Sequence, residues 1–115
     1  MSCTVVICPR AQRQLRGLPA RDQERLKSHI LALGHDPRPP GAVAMREVHR
    51  AFRIRTGDFR IVYTIHQHAV TILVLQVAHR REAYHGREIS AMDRDAREWL
   101  ADQDQKKTEA GDDQN

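Results

Sequence analysis

The stretch Phe52–Tyr63, F-R-I-R-T-G-D-F-R-I-V-Y, determines the fold that the sequence predicts. It contains two runs of alternating side chains joined by Gly57 and Asp58, and glycine in the first central position suits a type II′ hairpin turn. With these two residues in the turn, Arg55 lies directly opposite Arg60. The alternation then gives the hairpin an apolar face and a basic face. The apolar face carries Phe52, Ile54, Phe59, Ile61 and Tyr63, and the basic face carries Arg53, Arg55 and Arg60.

The opposed arginines indicate an anionic ligand. Two like charges directly opposite each other destabilise a hairpin by a few tenths of a kcal/mol to about 1 kcal/mol, and a bound anion removes that cost. The alternative is a solvated face, on which the arginines separate or pair with carboxylates such as Asp58 and Glu47. The sequence of the hairpin leaves both interpretations open.

Two segments with helical periodicity precede the hairpin. In each of them apolar side chains recur at i, i+4 and i+7, with Arg and Gln on the other side. These side chains are Ala11, Leu15 and Leu18, and, after the break at Gly17 to Pro19, Leu26, Ile30 and Leu33. We therefore expect two consecutive helices, ended by Gly34 and followed by a loop from Asp36 to Gly41.

The remaining apolar runs predict strands and a third helix. The segment around Leu73 is almost continuously apolar, as expected of a central strand that is covered on both faces. The predicted strands are Thr4 to Cys8, about Met45 to Thr56, Phe59 to His66 and Ala69 to Ala78. Ser90 to Leu100 has one apolar face and a capping box at its start, and predicts a helix. The sequence thus predicts an α+β fold with a small, mainly antiparallel, twisted sheet: one domain over residues 1–100 and a polar, disordered tail over residues 101–115.

The charge of the chain is concentrated in the predicted domain. The formal charge is +4, but the last 15 residues carry five acids and two bases, so residues 1–100 carry +7. Among the bases of that part only Lys27 is a lysine; the others are arginines, whose planar guanidinium group suits bidentate contacts with phosphate. A compositional bias of the genome explains the same excess of arginine. The positions of the arginines must therefore decide between phosphate binding and compositional bias.

Several classes of protein are excluded. The chain has room for one modest core, and no run reaches the roughly 18 apolar residues of a membrane span, which predicts a soluble cytoplasmic protein. Cys3 and Cys8 lie five residues apart on one strand, on opposite faces, so they form neither a disulfide nor a zinc site. His66 and His68 form an H-x-H pair without a third metal ligand in view. We expect no metal and no small-molecule cofactor.

Two motifs resemble those of a known family. The stretch Phe52–Tyr63, followed by L-V-L-Q-V-A-H-R-R-E-A-Y at Leu73–Tyr84, is similar to the signature of RelE-type toxins within the RelE/ParE superfamily, and the resemblance covers roughly residues 3–100. It implies a ribosome-dependent endoribonuclease that cleaves mRNA in the A site and is held inactive by an antitoxin protein. The expected partners are therefore the antitoxin, mRNA and the ribosome.

The resemblance also implies the residues of the site. Arg53 and Arg55 stand where RelE enzymes have basic residues on the second strand, and Arg60 matches their phosphate-binding arginine. Arg80 matches the arginine after the last strand, and Tyr84 the tyrosine near the C-terminus. A slip of one residue at the strand end would exchange Arg80 and Arg81, so Arg81 is a further RNA-binding candidate.

Arg55 departs from the best-known RelE pattern, in which a lysine at this position is thought to act as the base. Arginine is a poor proton shuttle. Among the residues near the strand end, His79 has the side chain best suited to proton transfer at neutral pH, which makes it the candidate acid or base. Two other functions stay open: a ParE-like inhibitor that binds DNA gyrase without cleaving nucleic acid, and an inactive module that binds an antitoxin.

Overall fold

The computed structural model describes residues 3–67 and 70–79, residues 86–103, and the helical backbone of residues 104–113. Five strands form one sheet in the order β1-β5-β4-β3-β2, in which β1 runs parallel to β5 and the other neighbours are antiparallel. The strands are β1 Thr4–Ile7, β2 Val43–Met45, β3 Ala51–Thr56, β4 Phe59–His66 and β5 Thr71–His79. The helices are α1 Pro9–Arg16, α2 Ala20–Ala32 and α3 Gly86–Asp113. This architecture confirms the predicted α+β class.

The two N-terminal helices cover one face of the sheet. Their periodic apolar residues are buried, as the spacing predicts, except for the half-buried Leu18, and they pack with the apolar face of the β3–β4 hairpin into one core cluster. Its fully buried members include Ala11, Ile30, Ile61, Tyr63 and Ile72. Tyr63 donates a hydrogen bond of 2.7 Å from its Oη to the carbonyl oxygen of Pro37, so the loop after α2 is fastened to this face of the sheet.

The third helix covers part of the opposite face. Met92 and Ala96 are buried there, with Ile89 and Trp99 packed against the same cluster. The sheet residues of this second core cluster are Val6, Met45, Ala51, Val62, Leu73 and Leu75, joined by Cys8 and by Val48. Cys8 lies in this cluster and Cys3 packs against the first one, so the predicted separation of the two cysteines is confirmed.

Two segments differ from the sequence prediction. The single strand predicted from about Met45 to Thr56 is interrupted by a turn between β2 and β3, because Val48 turns inward to full burial and Arg50 adopts a left-handed conformation with φ 60°. The third helix begins before Ser90 and continues past Leu100 to Asp113, through the segment predicted to be a disordered tail. Seven of residues 101–113 are good helix formers (Ala, Gln, Lys and Glu), and the segment contains no proline.

Gly34 has a structural role beyond ending the second helix. Its backbone N–H bonds to the carbonyl of Leu31, and a Cβ atom at this position would lie 2.8 Å from the carbonyl oxygen of Cys3. The backbone N–H of Cys3 in turn donates to the carbonyl oxygen of Gly34 at 2.7 Å. A glycine is required here because the chain leaving α2 touches the chain entering β1.

None of the described helices is long and apolar enough to cross a lipid bilayer.

Candidate functional site

The register of the sheet brings the predicted arginines together. Arg55 pairs with Arg60, and Arg60 pairs in turn with Ala78 on β5. One row further along, Arg53 lies between Val43 of β2 and Val62 of β4. Directly paired residues point to the same side of a sheet, so the three arginines share one face, and the register predicted from the sequence is confirmed. Gly57 has φ 59° and Asp58 has no positive φ, which is the pattern of a type II′ turn.

The arginines occupy the half of this face that lies nearer the Gly57–Asp58 turn. The row after Arg53 consists of Met45, Ala51, Thr64 and Leu73, and its apolar members belong to the cluster that α3 covers. Trp99 of α3 contacts His66 at the far end of β4, with ring centroids 4.6 Å apart. The helix therefore packs on the end of the face opposite the turn.

A groove lies beside the arginines. It has a volume of about 180 Å³ and is lined by Gly41, Val43, Arg53, Ile54, Arg55 and Arg60. Gly41 and Val43 come from the start of β2 and the loop before it, and the other lining residues come from the β3–β4 hairpin. Arginines beside such a groove can bind a phosphodiester through their guanidinium groups.

Two of these arginines have no counter-ion among the residues that the structure describes. Arg53 is half-buried and Arg55 is exposed, and neither makes a hydrogen bond or an ion pair with any residue in the described part of the chain. The alternative in which Asp58 or Glu47 neutralises them is therefore absent for these two residues. Guanidinium groups held on one face without carboxylate partners create a positive potential that favours an anionic ligand.

His79 does not join the arginines. It pairs with Phe59, and its ring lies edge-on to the Phe59 ring, with centroids 5.6 Å apart and an interplanar angle of 80°. Phe59 packs on the helical-hairpin side of the sheet, so His79 points away from the face that carries Arg55 and Arg60. His79 is a candidate in the sequence because it is near the other candidates along the chain, whereas alternation along β5 puts Ala78 on the arginine face; the role of His79 as acid or base stays a prediction.

The other titratable groups of the two cores are structural. Burial raises the pKa of the Cys8 thiol to about 11, with a smaller contribution from Asp95, so the thiol stays protonated. Burial, and secondarily Asp36, raises the pKa of Tyr63 to about 12. Burial lowers the pKa of His66, whose Nε2 shares a hydrogen bond of 2.6 Å with Thr64 Oγ1. None of these residues lies beside the groove.

The described residues contain no group of three or more His, Cys, Asp or Glu side chains that could hold a metal ion. His68, the second histidine of the H-x-H pair, lies outside the described residues, as do Arg80, Arg81 and Tyr84. The assignments of these last three residues therefore stay predictions. Each follows β5 in the chain, within six residues of Ala78.

Two parts of this surface were not predicted from the sequence. The sequence predicts Gly41 as the end of a loop and Val43 in no element, because a three-residue edge strand leaves too short a pattern to recognise. Gln76 was included in an apolar strand, although a glutamine in such a run is itself a signal. It pairs with Val62, so it lies on the arginine face, and it is 2% exposed with its Oε1 atom unpartnered.

Comparison with known proteins connects this geometry to a family. The model of the family described as "ParE toxin of type II toxin-antitoxin system, parDE" matches residues 5–84. Toxin RelG of Mycobacterium tuberculosis is 31% identical to the chain over 85 residues, which are 73% of this chain and 98% of that toxin.

Solved structures show the same fold. The toxin–antitoxin complex RelBE2 of M. tuberculosis contains a chain that is 28% identical, with a TM-score of 0.63 and coverage of 70% of this chain and 100% of that one. The RelE–RelB complex of Pyrococcus horikoshii gives 23% identity and a TM-score of 0.62, over 72% of this chain and all of the matched chain. The isolated RelE toxin of E. coli gives 20% identity and a TM-score of 0.61, over 71% and 88%.

Proposed function

The chain belongs to the RelE/ParE superfamily of type II toxins, and on that basis we propose that it is a ribosome-dependent endoribonuclease that cleaves mRNA. The observation that supports this most strongly is the pairing of Arg55 with Arg60 beside Arg53. These residues line a groove on the half of the sheet face that lies nearer the Gly57–Asp58 turn. A protein that only inhibits gyrase by binding has no evident need for a phosphate-binding groove on this face.

The cleavage reaction has three requirements. A ribose 2′-hydroxyl attacks the adjacent phosphorus, the new P–O bond forms as the bond to the 5′-oxygen breaks, and a cyclic phosphate and a 5′-hydroxyl result. The 2′-hydroxyl must pass its proton to a base, the negative charge on the non-bridging oxygens must be stabilised, and the leaving 5′-oxygen must receive a proton; the arginines supply the stabilisation, and solvent water accepts the first proton and donates the second.

In this proposal Arg55 and Arg60 hold the non-bridging oxygens, and Arg53 binds a neighbouring phosphate. Arg80, with Arg81 as the alternative, adds positive charge from the segment after β5. Tyr84 stacks on a base or orients the 2′-hydroxyl. Arg55 stabilises charge without transferring a proton, because a guanidinium group keeps its proton at any physiological pH. His79 has no part in the scheme, since it points to the opposite face.

The proposed partner is an antitoxin protein. The matched structures of M. tuberculosis and P. horikoshii are complexes of RelE toxins with RelB antitoxins. In this chain, the strands at the two edges of the sheet, β1 and β2, each have a neighbouring strand on one side, so an added segment can pair with either edge. An acidic segment would also mask the basic face. We place the action of the toxin in the cytoplasm, where its proposed targets are translated.

Primer extension on mRNA from a translating cell extract tests the activity. Added protein should produce new cuts within translated codons, and Arg55→Ala should lose them. Arg21→Ala is the matched control, because Arg21 is an exposed arginine of α2, the helix on the other side of the sheet. Cuts that persist in Arg55→Ala, or that vanish equally in Arg21→Ala, would contradict the assignment.

Inhibition of DNA gyrase is the second candidate, favoured by the family model, whose description is that of a ParE toxin. Supercoiling by purified gyrase separates the two functions. A gyrase inhibitor lowers supercoiling at protein concentrations that leave translated mRNA intact, whereas the proposed nuclease leaves supercoiling unchanged.

A further inference from the structure

Gln76 is the polar residue of the described sheet whose environment the proposed function leaves unexplained. The residue is 2% exposed, and its carboxamide oxygen, Oε1, has no hydrogen-bond partner among the described residues. A buried acceptor without a donor destabilises a fold, so such groups call for a reason other than stability. The apolar neighbours of Gln76 on β5, Leu75 and Val77, show that an apolar side chain is the ordinary occupant of this strand.

The register connects Gln76 with the groove. Val43, Arg53, Val62 and Gln76 are paired in succession across four strands, so they form one row on the arginine face. Only Val62 separates Arg53 from Gln76 within this row. Two strand spacings put their Cα atoms roughly 10 Å apart, a distance that an extended arginine and a glutamine together bridge.

Arg53 is suited to be the partner of this acceptor. Arg53 as a residue is half-buried, and its guanidinium group makes no hydrogen bond or ion pair with any residue that the structure describes. A guanidinium group has five N–H donors, of which a phosphate engages two along one edge. When RNA displaces water from the groove, the remaining donors need acceptors, because an unpaired buried donor is costly. Gln76 Oε1 is an acceptor within reach on the same row.

We propose that Gln76 is a positioning residue for Arg53: when RNA occupies the groove, its carboxamide oxygen accepts a hydrogen bond from the guanidinium group and holds the other edge of that group towards a phosphate. This inference rests on the proposed function, because it needs RNA in the groove. Gln76 contacts Arg53 rather than RNA, since its Oε1 atom is covered by protein.

A double-mutant cycle tests the contact. The variants of the full chain are Gln76→Met, Arg53→Ala and their combination; methionine keeps the length of the side chain and removes the acceptor. Binding is measured by fluorescence anisotropy with a single-stranded 2′-O-methyl RNA oligonucleotide, which lacks the attacking hydroxyl. Gln76→Met should weaken binding roughly tenfold when Arg53 is present and less than about twofold when it is absent.

Gln14→Met is the control for a purely structural role. Gln14 Oε1 accepts a hydrogen bond of 2.8 Å from the backbone N–H of Val77, so its loss should lower the melting temperature. Gln76→Met should keep or raise the melting temperature, because it removes an unpartnered acceptor.

Three results would overturn the inference. The first is equal weakening of RNA binding by Gln76→Met with and without Arg53, and the second is no weakening at all. The third is a fall in melting temperature like that of Gln14→Met. These results leave the proposed function standing as long as the unaltered protein binds the oligonucleotide. If the unaltered protein binds RNA neither in this assay nor on ribosomes, the proposed function and the inference are both contradicted.

Discussion

Replacing Arg55 by glutamate should stabilise the protein while it removes a residue of the candidate site. Arg55 and Arg60 are directly paired across β3 and β4, so the substitution converts two like charges into an opposite-charge pair. Each such cross-strand pair changes the free energy of unfolding by some tenths of a kcal/mol to about 1 kcal/mol. Removing a repulsion and adding an attraction should therefore increase the free energy of unfolding by roughly 1 kcal/mol, or about 4 °C in melting temperature for a domain of this size.

Thermal unfolding followed by circular dichroism at low and high ionic strength checks this magnitude. The increase in melting temperature of Arg55→Glu should be largest near 0.05 M salt and should shrink towards 1 M salt, where the Debye length falls to about 3 Å. Arg53→Glu is the matched control. Arg53 lies opposite Val62 and has Arg60 only as a diagonal neighbour, so its gain should be smaller. An Arg55→Glu variant that melts at or below the temperature of the unaltered protein in low salt would refute the reasoning, as would a gain that is insensitive to salt.

Three further predictions concern the groups that hold the fold together. Burial lowers the pKa of His66 in the folded state, so the free energy of unfolding should decrease as pH falls below the unfolded imidazole pKa of about 6.5. Urea titrations from pH 8 to 5 should show this decrease in the unaltered protein but not in His66→Phe. An equal dependence on pH in the two proteins would contradict the prediction. Gly34→Ala should lower the free energy of unfolding by about 2 kcal/mol in urea titrations, because the new Cβ would lie 2.8 Å from the carbonyl oxygen of Cys3. A loss below about 0.5 kcal/mol would mean that the backbone relaxes there, and would contradict the prediction. Gln14→Met should lower the free energy of unfolding by about 1–2 kcal/mol, because it leaves the N–H of Val77 without its acceptor. Native-state hydrogen exchange should be faster at the Val77 amide in this variant. Unchanged protection of that amide would contradict the assignment.

The hairpin was predictable because its sequence overdetermines it. The Gly57–Asp58 turn sets the register, and the alternation of Phe52, Ile54 and their partners independently sets the faces. Both signals are local and agree, so the pairing of Arg55 with Arg60 followed without knowledge of the rest of the chain. The two N-terminal helices were predictable for the same reason, since their apolar period and the breaks around them are local features.

The β4–β5 register was not predictable from the sequence. A β-bulge between Val62 and Tyr63 shifts the pairing by one residue, so that β5 has one residue more than β4 in this region. No turn residue or alternation in a continuously apolar strand reveals such a shift. The placement of His79 opposite Phe59, on the far face from Arg60, is consequently a property of the assembled sheet.

The edge strand and the end of α3 show two other limits of local patterns. β2 has three residues, and its separation from β3 depends on Val48, which is buried under tertiary contacts that the sequence does not display. In the C-terminal segment, low apolar content predicted disorder, whereas helix propensity predicts the helix that the backbone adopts to Asp113. The functional division between residues 1–100 and the segment after them stays a prediction.

Cleavage of a defined mRNA on purified ribosomes tests the central claim most directly. The message is positioned with a known codon in the A site, the protein is added at a stoichiometric concentration, and the RNA fragments are resolved by length. The account predicts cleavage in the A-site codon that requires the ribosome, yields a cyclic phosphate end, and is lost in Arg60→Ala but retained in Arg21→Ala. An intact message with the unaltered protein under these conditions, while gyrase supercoiling falls in a parallel reaction, would contradict it.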